Sequence, residues 1–145
     1  MPTVEFSVSA ESKNPTKVVV ETPGGFTMTV DEPENLGGTN EGPNPVEYVL
    51  AALSGCLNVV GQMVAKEMGI EMKSLSFKIT GELDPAKFTG QSEEVRAGYQ
   101  EINVEIDADC DADEETLEKW LETVEGRCPV SDNLSNETPI NISVG

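Results

Sequence analysis

Between Glu47 and Lys66 the chain carries no charged residue, although charged residues make up 25% of the whole. Within and beside that stretch Val46, Val49, Leu50, Leu53, Leu57, Val60 and Val64 recur at steps of three and four, the spacing of one helical face. Asn44 is placed to cap the helix, Pro45 suits its first turn, and Gly69 can end it. The intervening positions hold Ala51, Ala52, Ser54, Gly55, Cys56 and Val59 rather than charges. A helix apolar on most sides is expected to be buried on most sides, so the rest of the chain must be arranged around it.

The flanking segments alternate with the period of strands. Thr3 to Ser9, Lys17 to Thr22 and Phe26 to Val30 read as three short strands, with Pro23-Gly24-Gly25 turning between the last two. Asp31 to Asn44 is rich in Gly, Pro and polar residues and reads as a loop. Leu75 to Leu83 and Ile102 to Ala108 alternate as strands around a polar loop from Asp84 to Gly98. Asp111 to Glu125 reads as an amphipathic helix with Leu117, Trp120, Leu121 and Val124 as its buried stripe. Cys128 to Leu134 follows as a short helical turn, and Thr138 to Val144 alternates as a last strand. Strands grouped apart from helices predict an α+β fold of antiparallel sheets, and 145 residues suit a single domain, residues 1–145.

Nine Lys and Arg against 27 Asp and Glu give a net charge of −18. Such a surface repels both a phosphate backbone and an anionic bilayer, so nucleic acid and membranes are not expected partners. It also suits concentrated salt, where screening relieves self-repulsion; a salt-adapted host is the expectation, tested by dialysis to low salt. The start, MPTVEFSVSA, lacks the basic and apolar regions of a signal peptide, and no run reaches about 20 apolar residues. A cytoplasmic protein is expected. There the three cysteines should stay free of static disulfides.

Histidine is absent, which removes the commonest general base, zinc ligand and triad member. No CxxC, GxGxxG or P-loop occurs, so no metal and no organic cofactor is expected. Chemistry falls to the cysteines. If Cys128 caps a helix that starts at Pro129, backbone N–H groups point at its sulfur, and adjacent Arg127 adds charge; both would lower the thiol's pKa. Cys56, inside the apolar helix behind Ser54 and Gly55, reads either as core or as a pocket thiol. Cys110, between Asp109 and Asp111, reads as incidental, because two carboxylates would make its thiol sluggish.

Two segments, Gly42-Pro43-Asn44-Pro45-Val46-Glu47-Tyr48-Val49-Leu50-Ala51-Ala52-Leu53-Ser54-Gly55-Cys56 and Arg127-Cys128-Pro129-Val130-Ser131-Asp132-Asn133-Leu134, resemble the two signature regions of the OsmC/Ohr family. The resemblance implies the OsmC-like fold: antiparallel sheets around a long buried central helix, in an intertwined homodimer with sites at the subunit interface. It also implies a thiol-dependent peroxidase of oxidative-stress defence, acting on a hydroperoxide and recycled by a thiol reductant. Cys56 would then be the peroxidatic thiol and Cys128 the resolving one, joined transiently in a disulfide.

The sequence departs from the peroxidase branches at two points. Those branches take an activating Arg from the N-terminal sheet, whereas the only arginines here are Arg96 and Arg127. Both are candidates for tuning the thiolate, with Lys13 or Lys17 as point-charge substitutes. Those branches also place a Glu directly after the helix-opening proline, where this chain has Val46 and then Glu47. Glu47 is a candidate to hold the Arg, or else a first-turn carboxylate favoured by the helix dipole. Two further readings stay open: a non-catalytic small-ligand-binding protein of the same fold, and a redox sensor.

Overall fold

A computed structural model describes residues 1–145. Two compact units divide the chain, Met1–Val49 and Leu50–Gly145.

In the first unit β1 (Ser9–Ser12), β2 (Val18–Glu21) and β3 (Thr27–Val30) form an antiparallel sheet in that order. The β2–β3 turn closes where expected, with the Gly25 N–H donating to the Thr22 carbonyl at 3.0 Å and Gly25 at φ 89°, a conformation open to glycine. The loop after β3 is knitted to Asp31, a fully buried carboxylate. Its Oδ1 accepts from the Thr16 hydroxyl at 2.7 Å and the Glu32 N–H at 2.7 Å. Its Oδ2 accepts from the Thr39 hydroxyl and, at 3.1 Å, from the Glu41 N–H. Five backbone and hydroxyl donors would otherwise compete for water; one anion satisfies them.

The long helix α1 (Pro45–Glu67) opens with a capping box: the Glu47 N–H donates to Asn44 Oδ1 at 2.8 Å and the Asn44 N–H to Glu47 Oε1 at 3.0 Å. It closes at Gly69 (φ 68°), where the Ile70 N–H reaches back to the Ala65 carbonyl and the Gly69 N–H to that of Lys66. By length and composition α1 would suffice to cross a bilayer. The core helix of a globular protein meets the same test, and one face of α1 is buried here.

In the second unit, α1 buries Leu53, Leu57, Val60, Gly61, Val64 and Ala65 against Trp120, Val124 and Cys128. The hairpin β4 (Met72–Leu83) and β5 (Tyr99–Cys110) supplies the other wall. Its register sets Phe77 opposite Ile106 and Ile79 opposite Val104, and Leu75, Phe77, Ile79, Ile102 and Ile106 pack on the same cluster. The helix α2 (Glu114–Arg127) is capped by Asp113 and followed by α3 (Pro129–Ser135).

Three expectations are corrected. Residues 3–8 and 138–144 form no strand; only Ser9 of the first predicted strand lies in β1. Strands exist by pairing, and here Val4, Phe6, Val8, Ile140, Ile142 and Val144 alternate in both segments yet stand exposed. Burial of α1 is also one-sided: Ala51, Gly55, Val59 and Met63, a stripe at steps of four, are open to solvent.

Candidate functional site

Cys56 lies half-buried on α1 and packs against the cluster that contains Cys128. Cys128 is buried between α2 and α3 and serves both helices. Its N–H donates to the Val124 carbonyl at 3.1 Å, ending α2, and its sulfur accepts from the Ser131 N–H at 3.4 Å, starting α3 at Pro129. The N-cap expected from Cys128-Pro129 is therefore formed.

The expected acidity of that thiol is not. Burial pushes the Cys128 pKa above its ordinary value, and the N–H groups of Ser131 and Val130 only partly offset it. The nearby Cys56 thiol raises it further, as a hydrogen-bond and charge neighbour. The structure thus brings the two cysteines together, while desolvation outweighs the short helix that Cys128 caps.

The remaining candidates have other partners. Arg127 Nη1 meets Glu67 Oε2 at 2.6 Å. Arg96, exposed, donates to the Tyr99 carbonyl at 3.5 Å. Glu47 sits in the capping box of α1. Lys13 pairs with Glu11 at 3.0 Å and Lys17 with Glu41 at 2.8 Å. No cluster of three or more acidic or cysteine side chains is arranged to hold a metal ion.

An open cavity of about 530 Å³ adjoins the thiol pair. Leu53 and Leu57, which bracket Cys56 on α1, line it, as do Ser131 and Leu134 from the helix Cys128 opens. Ile102, Val104 and Ile106 of β5 extend the apolar wall, and Arg96 is its one cation beside Glu101 and Glu125. Neither cysteine lines the cavity itself.

Sequence reasoning missed Asp31, one carboxylate among 27 Asp and Glu with no pattern to distinguish it. It also missed Gly61, whose hydrogen gives the indole of Trp120 its place: a Cβ there would stand 3.0 Å from Trp120 Cζ2.

The family model for OsmC-like proteins matches residues 38–143. No curated protein matches the chain in sequence. Among solved structures, an OsmC-like protein from Mycoplasma pneumoniae is similar at TM-score 0.79 and 19% identity, over 92% of this chain and 89% of that one. An organic hydroperoxide resistance protein OsmC from Legionella pneumophila is similar at TM-score 0.70 and 18% identity, over 92% and 91%. The organic hydroperoxide resistance protein OhrB of Bacillus subtilis is similar at TM-score 0.60 and 19% identity, over 92% and 93%. These identities speak to the fold, which they share with this chain, and with the family match across most of its length the chain belongs to the OsmC-like protein family.

Proposed function

We propose that this chain is a thiol-dependent hydroperoxide reductase, working as a cytoplasmic homodimer with Cys56 as peroxidatic and Cys128 as resolving thiol. The observation that carries the reading is the adjacency of the two sulfurs, one on α1 and one at the α2–α3 junction. The Cys56 thiolate attacks the O–O bond, releasing alcohol and leaving a sulfenic acid. Cys128 condenses with it, forming the S–S bond and expelling water, and a dithiol reductant returns both thiols. The raised pKa keeps Cys128 protonated at neutral pH, so that it does not compete for peroxide; in the resolving step its proton passes to the departing hydroxide as its sulfur attacks Cys56. The cavity nearby, with an apolar wall of Leu53, Leu57, Ile102, Val104 and Ile106 facing polar residues, offers room for an organic peroxide.

The dimer is supported by what one chain leaves uncovered. Alternating apolar segments at both termini and the open stripe on α1 are surfaces that a second copy would pair and bury.

One observation favours the ligand-binding reading: Arg127 is paired with Glu67, and Arg96, the cavity's one cation, is exposed and donates to a backbone carbonyl rather than to a thiol. The deciding experiment mixes reduced protein with about one equivalent of an organic hydroperoxide and maps disulfides by mass spectrometry. A rapid Cys56–Cys128 bond, with peroxide consumption abolished by Cys56→Ser, is expected. Two thiols left unoxidised would transfer the assignment to ligand binding.

A further inference from the structure

Cys128 has no freedom of its own. It is the last-turn cap of α2 and the first cap of α3, so its sulfur goes where the C-terminal end of α2 goes. The helix α2 is attached to α1 at two points, one at its middle and one at that end. Trp120 Nε1 donates to the Gly61 carbonyl at 2.9 Å in the buried core, and Arg127 Nη1 meets Glu67 Oε2 at 2.6 Å at the surface. Gly61 and Glu67 follow each other along α1 as Trp120 and Arg127 do along α2, so the two C-terminal ends lie side by side.

Each helix terminus carries partial negative charge on its last carbonyls, and the last turn of α1 holds both Lys66 and Glu67. Arg127, the last residue of α2, is the cation that pairs with Glu67 across the two ends.

We propose that Arg127 is a positioning residue: its ion pair with Glu67 holds the end of α2 against α1 and so sets how readily Cys128 closes on Cys56. The proposal rests on the Cys56–Cys128 pairing of the reading above but not on peroxide chemistry. Closure is measured instead by equilibrating the full-length protein with reduced and oxidised glutathione at pH 7, where the two thiols are oxidised to one disulfide as one glutathione disulfide becomes two thiols.

An exposed pair of this kind is worth up to about 1 kcal/mol, so Arg127→Gln should lower the closure constant about three- to fivefold. Glu67→Gln should lower it as well, and the exchange Glu67→Arg with Arg127→Glu should restore it to within about twofold of the native value. The pH profile of Cys128 alkylation should keep its midpoint in Arg127→Gln. An unchanged closure constant, an exchange variant no better than the single ones, or an alkylation midpoint that moves upward would overturn the proposal, the last by assigning Arg127 to the thiol itself. If Arg127→Gln does not fold, Glu67→Gln decides alone. A native protein that closes its disulfide in glutathione but ignores peroxide would defeat the reductase reading and leave the positioning test standing; one that never closes defeats both.

Discussion

The indole nitrogen of Trp120 donates to the carbonyl oxygen of Gly61 at 2.9 Å, across a buried helix contact that only a residue without a side chain permits. A helical carbonyl normally serves its own ladder; here it also accepts from the chain's one tryptophan, 2% exposed. Because Trp120 is pinned by that bond and walled in by the core, it cannot yield to a new Cβ 3.0 Å away, and Leu75 stands 3.3 Å off on another side. Gly61→Val should therefore destabilise the protein by about 1–3 kcal/mol despite removing a helical glycine. Urea unfolding followed by tryptophan fluorescence measures it, and a stability equal to the native protein's would refute the contact's importance.

Asp31 should make the first unit acid-sensitive. Burial by itself would raise its pKa, but the Thr39 and Thr16 hydroxyls and the Glu32 and Glu41 N–H groups more than reverse this and hold the carboxyl well below the usual range. A folded pKa below the unfolded one contributes stability that is complete above the ordinary aspartate range, near 4, and is lost as pH falls below it. Asp31→Asn should remove that contribution at neutral pH and flatten the acid dependence. Hydrogen exchange at the Thr39 and Glu41 amides, compared at pH 7 and at about pH 2.5, below the ordinary aspartate range, is the measurement; equal protection in both proteins would contradict it.

Cys128 should resist alkylation. Its folded pKa lies above the ordinary value because burial, then Cys56, disfavours the thiolate. Iodoacetamide labelling should therefore rise at a higher pH than for an exposed cysteine, and Cys56→Ser should bring the midpoint down without removing the burial effect. The same sign means that the protonated thiol's contribution to stability is present below the unfolded pKa and fades as pH climbs through the folded one. A midpoint at or below that of free cysteine would overturn the assignment.

Association should depend on the chain ends. Phe6 and Ile142 are 90% and 88% exposed, each in the middle of an alternating apolar segment. Placing Asp at either position should shift sedimentation from dimer toward monomer at micromolar concentration, since an unpaired charge in a buried strand face is costly. Native-like sedimentation of both variants would remove the terminal segments from the interface.

What was legible in the sequence was periodic. The steps of three and four from Val46 to Val64, the alternation of Leu75, Phe77 and Ile79, and Asn44, Gly69 and Cys128-Pro129 as helix punctuation all took the forms their spacing predicts. Where pattern reading failed, the cause was a partner the local sequence does not specify. Alternation from Thr3 to Ser9 and from Thr138 to Val144 records a capacity to pair, and one chain supplies no neighbour for it. Adjacent in sequence to Cys128, the Arg127 guanidinium turns to Glu67, 60 residues away. The thiol's acidity was misread for a related reason, because N–H groups at a cap are local while desolvation is set by the whole core.

A seven-residue helix that begins on a sulfur atom has an unusual dependence on the chemistry of that atom. Converting the Cys128 thiol to a disulfide, a sulfenic acid or an alkyl adduct replaces the acceptor that holds the Ser131 amide, and Ser131 and Leu134 form part of the cavity wall. The covalent state of one side chain thus bears, through a single hydrogen bond, on the wall of the cavity.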